Sequence, residues 1–208
     1  MKKKKTPWVI SVRYPKFANK DYIGLNGVSR EQLIHPHFQE WQEWFLKEYE
    51  APKNKICVFL PCAAIKPYYN SPIHKVINNV LDEYSKEIHK VVVSNAGVVP
   101  YEYCDKYPFD SYDWNPLVED EVIQKEYYRI TRQRIEGYLS IHTYRAHISY
   151  LRNKSISFKA LKDACKNLGI KLYYEKLNEK ISPKKDADLV LTYGENLKRL
   201  KKLLEGLL

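Results

Sequence analysis

Short apolar segments alternate with helical patterns through most of this chain, and this alternation limits the folds that it can adopt. The run at 55–60 (KICVFL) is apolar and ends at Pro61, which is typical of a buried strand. Ser71 and Pro72 then favour a helix start, as N-cap and first helical residue. Further patterns predict strands at 89–94, 146–151 and 170–176 and helices at 72–87, 119–141 and 157–168. An α/β fold is predicted, a three-layer sandwich with a mainly parallel sheet and helices on both faces.

The segments outside this alternation are harder to assign. They comprise a strand pattern at Trp8–Tyr14, a helix pattern at 29–50 that Pro36 must perturb, and an irregular loop from 95 to about 116. No Ser- or Gly-rich linker divides the 208 residues, so a single domain over 1–208 is predicted. It is expected to begin with a basic tail (1–7) and to end with a basic amphipathic helix (194–208).

The basic residues are concentrated towards the two ends of the chain. The formal net charge is +10, yet the first 20 residues hold seven Lys or Arg and no acid, and residues 149–208 also carry a net +7. The middle is therefore mildly acidic, which suits a cationic small substrate. A basic periphery is typical of proteins that bind nucleic-acid phosphates, although a Lys-rich solvated surface gives the same pattern.

Several protein classes are not indicated by the composition. No apolar stretch reaches the roughly 18 residues that a membrane-spanning helix needs. The basic N-terminus has no apolar segment behind it, so no signal peptide is predicted. The 4 cysteines show no paired spacing, which indicates free thiols and a cytoplasmic location. His35 and His37 have no further ligands nearby in sequence, so we assign no metal.

Reactive side chains lie in the loop between the predicted strand at 55–60 and the next helix. The segment PCAAIKPYYNSPIH supplies a thiol, an amine, a phenol and an imidazole, from Cys62, Lys66, Tyr68 and His74. Open α/β sheets bind ligands beyond the carboxyl ends of their strands, so this loop is a candidate site. Two interpretations of Cys62 remain open: a thiol whose pKa is lowered by a nearby helix N-terminus, or a buried structural thiol.

These residues resemble the signature of archaeosine synthase, a family that acts on archaeal transfer RNA and is related to the tRNA-guanine transglycosylases. The first motif comprises Pro61-Cys62, Lys66-Pro67-Tyr68, Ser71 and His74. A second block at 91–113 resembles the family in Gly97–Pro100, Glu102, Tyr107-Pro108 and Tyr112-Asp113. A weaker similarity covers 137–149, and the chain departs from the family pattern at Ser94-Asn95-Ala96, Tyr101 and Cys104.

The resemblance implies a tRNA substrate that carries 7-cyano-7-deazaguanine, whose nitrile carbon accepts an amine to give an amidine. The implied amine is the side chain of free lysine, with glutamine-derived ammonia as the less favoured donor. Such an addition needs a base, and either Asp113 or Glu102 is predicted to deprotonate and anchor the amine. His74 or Tyr68 is the predicted proton donor, and Cys62 is a candidate for a transient thioimidate.

The other predicted site residues bind substrate. Lys66 is expected to contact a phosphate or the substrate carboxylate, and Gly97 to supply a positive φ or a close approach to the ligand. Ser71 is predicted as a helix cap ahead of any catalytic role. The predicted substrate-binding set is Lys66, Tyr68, Ser71, Ser94, Gly97 and Tyr112. Candidates for stacking on the modified base are Tyr68, Tyr69, Tyr101 and Tyr103.

A noncatalytic function is the main alternative to an enzyme. Full-length members of the family carry a transglycosylase-like region and an RNA-binding PUA domain, for which 208 residues leave no room. We therefore expect a partner protein that supplies such a domain, with tRNA and lysine as the other partners and no cofactor. The alternative is a tRNA-binding subunit of a transglycosylase-type complex. A weaker alternative is a glycosylase-type enzyme that acts on nucleobases.

Overall fold

The computed structural model describes Pro15 and residues 25–181 and 186–208, so the predicted strand at 8–14 and the basic tail (1–7) lie outside the described residues. Five strands form one sheet: β1 Ile56–Pro61, β2 Ile88–Ser94, β3 Gly97–Pro100, β4 Ala146–Ser149 and β5 Leu172–Tyr173. Their spatial order is β3-β2-β1-β4-β5. β1 is central, with β2 and β4 parallel to it on either side and β5 parallel to β4.

The residues of β1 are buried along the whole strand. A parallel strand is covered on both faces by its crossover helices, and this explains why its sequence is apolar throughout rather than alternating. The buried hydrophobic side chains around the sheet form one cluster. No helix in the described ranges is both long and apolar enough to span a bilayer.

The outer strand β3 is antiparallel to β2 and lies within the segment that was predicted to be an irregular loop. Ser94 pairs with Gly97, so Asn95 and Ala96 form a two-residue turn. Gly97 has a φ of +130°, and a Cβ at this position would lie 2.4 Å from the side chain of Gln42. The predicted positive φ is therefore confirmed. The strand prediction missed β3 because only four residues, the last of them Pro100, carry the pattern.

The described residues form six α-helices: α1 Arg30–Leu33, α2 Pro36–Lys47, α3 Pro72–Leu81, α4 Glu121–Ile141, α5 Ile156–Asn167 and α6 Gly194–Glu205. α4 packs against α1, α2 and α5, whereas α3 packs against α6 and a 3-10 helix at Ala187–Thr192. The β1-α3-β2 and β4-α5-β5 connections run in opposite directions along the sheet, so right-handed crossovers place them on opposite faces. The predicted α/β fold is confirmed.

Some predicted element boundaries are wrong. The helix predicted at 29–50 is two helices, because the chain breaks at Ile34 and His35 and Pro36 begins α2. The helix predicted at 72–87 ends at Leu81 and gives way to a 3-10 turn. The strands predicted at 146–151 and 170–176 pair with neighbours only over β4 and β5 as given above.

Candidate active site

The candidate site lies where the carboxyl ends of β1 and β4 are adjacent. From β1 the chain passes through α3 to β2, and from β4 it passes through α5 to β5 on the other side. Sheets whose connections diverge in this way have a crevice between the two carboxyl ends, where ligands bind. The loop that carries the first motif follows β1 directly and therefore borders this crevice.

Cys62, the residue after β1, interacts with side chains from several parts of the chain. Ionisable side chains from several parts of the chain lie near its thiol: Lys66, Asp188, Tyr68, Tyr112 and Tyr127. Burial, reinforced by Asp188, raises the pKa of the thiol to about 12, although Lys66 opposes this rise. The structure therefore argues against the first interpretation of Cys62, because the residue is half-buried and its thiol is protonated at neutral pH.

Lys66 packs on an aromatic ring at the candidate site. Its Nζ is 4.0 Å from the centroid of the Tyr112 ring, which is a cation–π contact. Burial lowers the pKa of Lys66, while Cys62 and Asp113 both oppose this effect. The structure thus places Lys66 within electrostatic range of two other predicted site residues, Cys62 and Asp113, at the carboxyl end of β1.

Asp113 is held by its backbone and leaves part of its carboxylate accessible. Its N–H donates to the carbonyl oxygen of Leu25 at 3.0 Å, next to an isolated bridge with Asn26. Its Oδ1 accepts a hydrogen bond from the N–H of Trp114 at 2.8 Å. Asp113 is exposed, and its Oδ2 has no hydrogen-bond partner among the described residues. A fixed carboxylate with one free oxygen is suited to accept a proton or to bind an ammonium group.

Tyr68, Tyr112 and Ser94 form a buried hydrogen-bonded group beneath Lys66. The hydroxyls of Tyr68 and Tyr112 are 2.9 Å apart, and both interact with Ser94, whose Oγ donates to the carbonyl oxygen of Gly97 at 3.1 Å. Tyr68 is 0% exposed and Tyr112 is 3% exposed. The structure therefore leaves neither ring surface open to stack on a base. Of the four tyrosines predicted to stack, Tyr69 is the exposed one.

His74 is buried and both of its ring nitrogens are engaged. Its Nε2 lies 2.9 Å from the carbonyl oxygen of Pro61, and since a carbonyl only accepts, Nε2 carries the proton. Its Nδ1 then accepts from the hydroxyl of Tyr101 at 3.2 Å, which in turn accepts from Asn78. Burial lowers the pKa of His74 to about 4, so the ring is neutral at pH 7. A neutral, enclosed imidazole does not fit the predicted role of proton donor.

The predicted helix cap at Ser71 is confirmed. Its Oγ accepts the backbone N–H of His74 at 3.1 Å at the start of α3, and the side chain is buried. Ser71 therefore shapes the loop of the first motif by anchoring its end to the helix.

Glu102, the other predicted base, lies at the opposite end of the strands from Cys62. The chain leaves β3 beside the amino end of β2, and Glu102 follows there. Its Oε1 accepts from the hydroxyl of Tyr49 at 2.6 Å, and its Oε2 lies 3.1 Å from Nε2 of His89. Partial desolvation would raise the pKa of Glu102, but the hydrogen bonds from His89 and Tyr49 hold it below its ordinary value. The structure does not bring Glu102 together with Cys62, Lys66 and Asp113.

Sequence reasoning missed three residues near the carboxyl ends of β1 and β4. Arg152 follows β4, and its Nε donates to Oδ1 of Asp188 at 2.6 Å. The phenol of Tyr127 in α4 interacts with Cys62 and lies 2.6 Å from the hydroxyl of Ser157. Arg152 could have been proposed from the sequence, because it comes just after a predicted strand, where ligands bind in such sheets. Asp188 and Tyr127 could not, since only the tertiary fold brings them near β1.

Among the described residues, those around Cys62 form no metal site and do not line the cleft between α2 and α4. Within the described ranges, no three His, Cys, Asp or Glu side chains are placed to bind a metal ion. A cleft of about 500 Å³ lies between α2 and α4, lined in part by Gln42, Arg129 and Arg134. It contains none of the predicted site residues.

The sequence profile of a family described as a domain of unknown function, DUF5591, matches residues 38–193, about three quarters of the chain. The chain belongs to the DUF5591 family. The matched range covers all five strands of the sheet and every residue of the candidate site.

Two curated relatives of this DUF5591 chain are named archaeosine synthase subunit alpha. The protein from Methanosarcina acetivorans is 28% identical over 152 residues, which are 73% of this chain and 21% of that protein. The protein from Thermoplasma acidophilum is 29% identical over 135 residues, 62% of this chain and 25% of that protein. The resemblance to archaeosine synthase is confirmed, and the chain spans about a fifth to a quarter of the length of these relatives.

The fold is also similar to the crystal structure of AF0587, a protein of unknown function. The TM-score is 0.53 at 17% sequence identity, and the match covers 79% of this chain and 49% of that one. This likeness supports the α/β fold of the DUF5591 chain and carries no information about its activity.

Proposed function

We propose that this chain is the core of a tRNA-modifying enzyme that adds an amine to the nitrile of 7-cyano-7-deazaguanine in tRNA. The names of the two relatives and the motif at 61–74 support this class of reaction. The observation that carries the proposal is the position of Lys66, which packs at 4.0 Å on the ring of Tyr112, the residue before Asp113, and lies within electrostatic range of Cys62 and Asp113. These residues supply an acid and a base next to a position where ligands bind in such sheets.

The proposed reaction moves one proton from the amine to the nitrile nitrogen. The amine lone pair forms a bond to the nitrile carbon while one π bond of the nitrile breaks towards nitrogen. Lys66 donates a proton to that nitrogen, and Asp113 takes a proton from the attacking amine. Burial lowers the pKa of Lys66, which makes its ammonium a better acid than an ordinary lysine. Proton return from Asp113 to Lys66 restores both groups, and the product is an amidine.

Arg152 and Asp188 are proposed to hold free lysine, the amine donor. Only Nε of Arg152 is bonded to Asp188, and its two terminal nitrogens have no partner in the part of the chain that the structure describes. A guanidinium binds a carboxylate through paired donors, so these nitrogens fit the α-carboxylate of an amino acid. Asp188 is close to Asp186 and Glu179, and this negative charge favours an ammonium group.

Replacing Cys62 with serine is expected to leave turnover within about threefold of the unmodified protein, because roughly one thiol in 10⁵ is ionised at pH 7 when the pKa is about 12. Single-turnover rates with saturating tRNA measure this effect. A loss of about a hundredfold with unchanged tRNA binding would support the thioimidate route instead.

The proposed function is tested by mass spectrometry of nucleosides from 7-cyano-7-deazaguanine tRNA after incubation with the protein and lysine. A nucleoside heavier by one lysine is the expected product. Incubation with ammonia instead of lysine identifies the alternative donor. Binding of the tRNA without any change in nucleoside mass would favour the noncatalytic subunit, and the reaction would then be repeated with a partner protein.

A further inference from the structure

One exposed surface of the molecule combines lysines with aromatic rings. It is formed by the outer sides of α4 and α5 and by the edge at β5, and we call it the α5 surface. Its members are Tyr128, Arg132, Lys159, Lys162, Lys166, Lys171, Tyr173 and Tyr174. In α5 the three lysines are three and four residues apart, so they form one stripe along the helix.

Cations and rings are in direct contact on the α5 surface. Nζ of Lys159 lies 5.0 Å from the ring centroid of Tyr128, on which the guanidinium of Arg132 also packs at 5.7 Å. At the sheet edge, Lys162 lies 5.5 Å from the Tyr174 ring and Lys171 lies 4.5 Å from the Tyr173 ring. These contacts hold positive charge beside flat apolar faces.

The lysines of this surface are not neutralised by carboxylates. In the described ranges none of Lys159, Lys162, Lys166 and Lys171 is in an ion pair. The carboxylates on the surface are already occupied: Asp163 accepts from the hydroxyl of Tyr128 at 2.7 Å, and Glu136 pairs with Arg132. The surface therefore presents an excess of positive charge.

The basic C-terminal helix α6 is different, because part of its charge is paired. Lys201 bonds to Glu83 at 2.7 Å, and Arg199 lies 3.7 Å from Glu195. None of the cation–π contacts in the described ranges involves α6. Both helices are basic. The cation–π contacts of its unpaired lysines distinguish α5 from α6.

The position of α5 connects this surface to the candidate site. α5 begins at Ile156, shortly after the carboxyl end of β4, and Ser157 in its first turn lies 2.6 Å from Tyr127, which borders Cys62. From there the stripe from Lys159 to Lys166 extends roughly 10 Å along the helix. A ligand in the crevice that continues along α5 would meet these lysines in succession.

We propose that the α5 surface binds the RNA backbone next to the nucleotide that occupies the crevice. Phosphates pair with the lysines that are in no ion pair, and the exposed ring of Tyr174 offers a stacking surface to unpaired bases. Aromatic rings interleaved with cations favour single-stranded or looped RNA over an acidic protein. The inference rests on the proposed function in taking tRNA as the ligand and in placing one of its nucleotides in the crevice.

The test compares two variants that remove the same charge at the same spacing. In one, Lys162→Gln and Lys166→Gln are combined on α5; in the other, Lys198→Gln and Lys202→Gln are combined on α6. All four lysines are exposed and lie outside the candidate site. Binding of an unmodified tRNA transcript is measured by fluorescence anisotropy across a series of salt concentrations. Circular dichroism confirms that both variants are folded.

The α5 variant is expected to bind at least about tenfold more weakly at low salt, and its slope of log K against log salt is expected to fall by roughly 1.5. The α6 variant is expected to match the unmodified protein. Equal losses in the two variants, or no loss in the α5 variant, would overturn the proposal. A selective loss together with a negative mass-spectrometric assay would leave the RNA surface standing and remove the proposed reaction.

Discussion

Replacing Asp113 with asparagine is expected to lower the rate of amidine formation at least about a hundredfold, the usual contribution of a general base. Asparagine keeps the side-chain oxygen that accepts the N–H of Trp114, so the local backbone should be preserved. What is lost is the proton acceptor beside Lys66. Single-turnover rates and tRNA affinity, measured on the same preparation, separate this chemical effect from a binding defect.

Glu102→Gln is the matched control, because the sequence motif did not distinguish these two carboxylates. Glu102 lies beside the amino end of β2, far along the strands from Cys62, where it is hydrogen-bonded to Tyr49 and His89. Its amide variant is expected to keep turnover within about twofold. Normal turnover in Asp113→Asn would remove Asp113 as the base. If folded Glu102→Gln lost as much activity as Asp113→Asn, Glu102 would also be needed for the reaction despite its distance from Cys62 and Lys66.

The stability of the protein is expected to fall by about 3 kcal/mol between pH 6.5 and pH 4 through His74 alone. Burial lowers the pKa of His74 from 6.5 to about 4. The unfolded chain therefore takes up a proton before the folded protein does. The stabilisation is complete above pH 6.5 and is lost as the pH falls towards 4. Urea denaturation at several pH values measures this loss.

His74→Gln isolates this contribution, since glutamine does not titrate in this range. The variant is expected to be less stable at pH 7, yet to lose about 3 kcal/mol less than the unmodified protein on acidification. Lys75→Gln, at an exposed position in the same helix, should leave the pH dependence unchanged. Identical slopes for the unmodified protein and His74→Gln would show that His74 is not held neutral by burial.

The fold was largely predictable because its signals are local. The apolar run of β1 and the cap formed by Ser71 and Pro72 are both read from neighbouring residues. The hairpin strand β3 was not predictable in this way, since only four residues carry its pattern and its contacts with Gln42 are made from the distant helix α2. Long-range contacts of this kind have no signature in the sequence around the strand.

The candidate site was predictable only in part, for a similar reason. Cys62 and Lys66 were predicted to lie together because they share one loop. Asp113 was added because the second block, at 91–113, also resembles the family. The roles of His74 and Tyr68 depend on burial, and both are enclosed by side chains that are distant in sequence. Asp188 was missed because it lies near Cys62 only in the folded chain and belongs to a segment that carries no motif.

The central position of β1 also has a consequence for how the chain acquires its structure. One edge of β1 pairs with β2, about 30 residues further on. The other edge pairs with β4, which begins only at Ala146, the partner of Ile56. Contacts of such high sequence separation slow folding. A chain that is synthesised only as far as residue 145 therefore presents an apolar strand with one unpaired edge, which is a known template for aggregation. Early termination or slow translation in this region would expose this apolar strand to other chains.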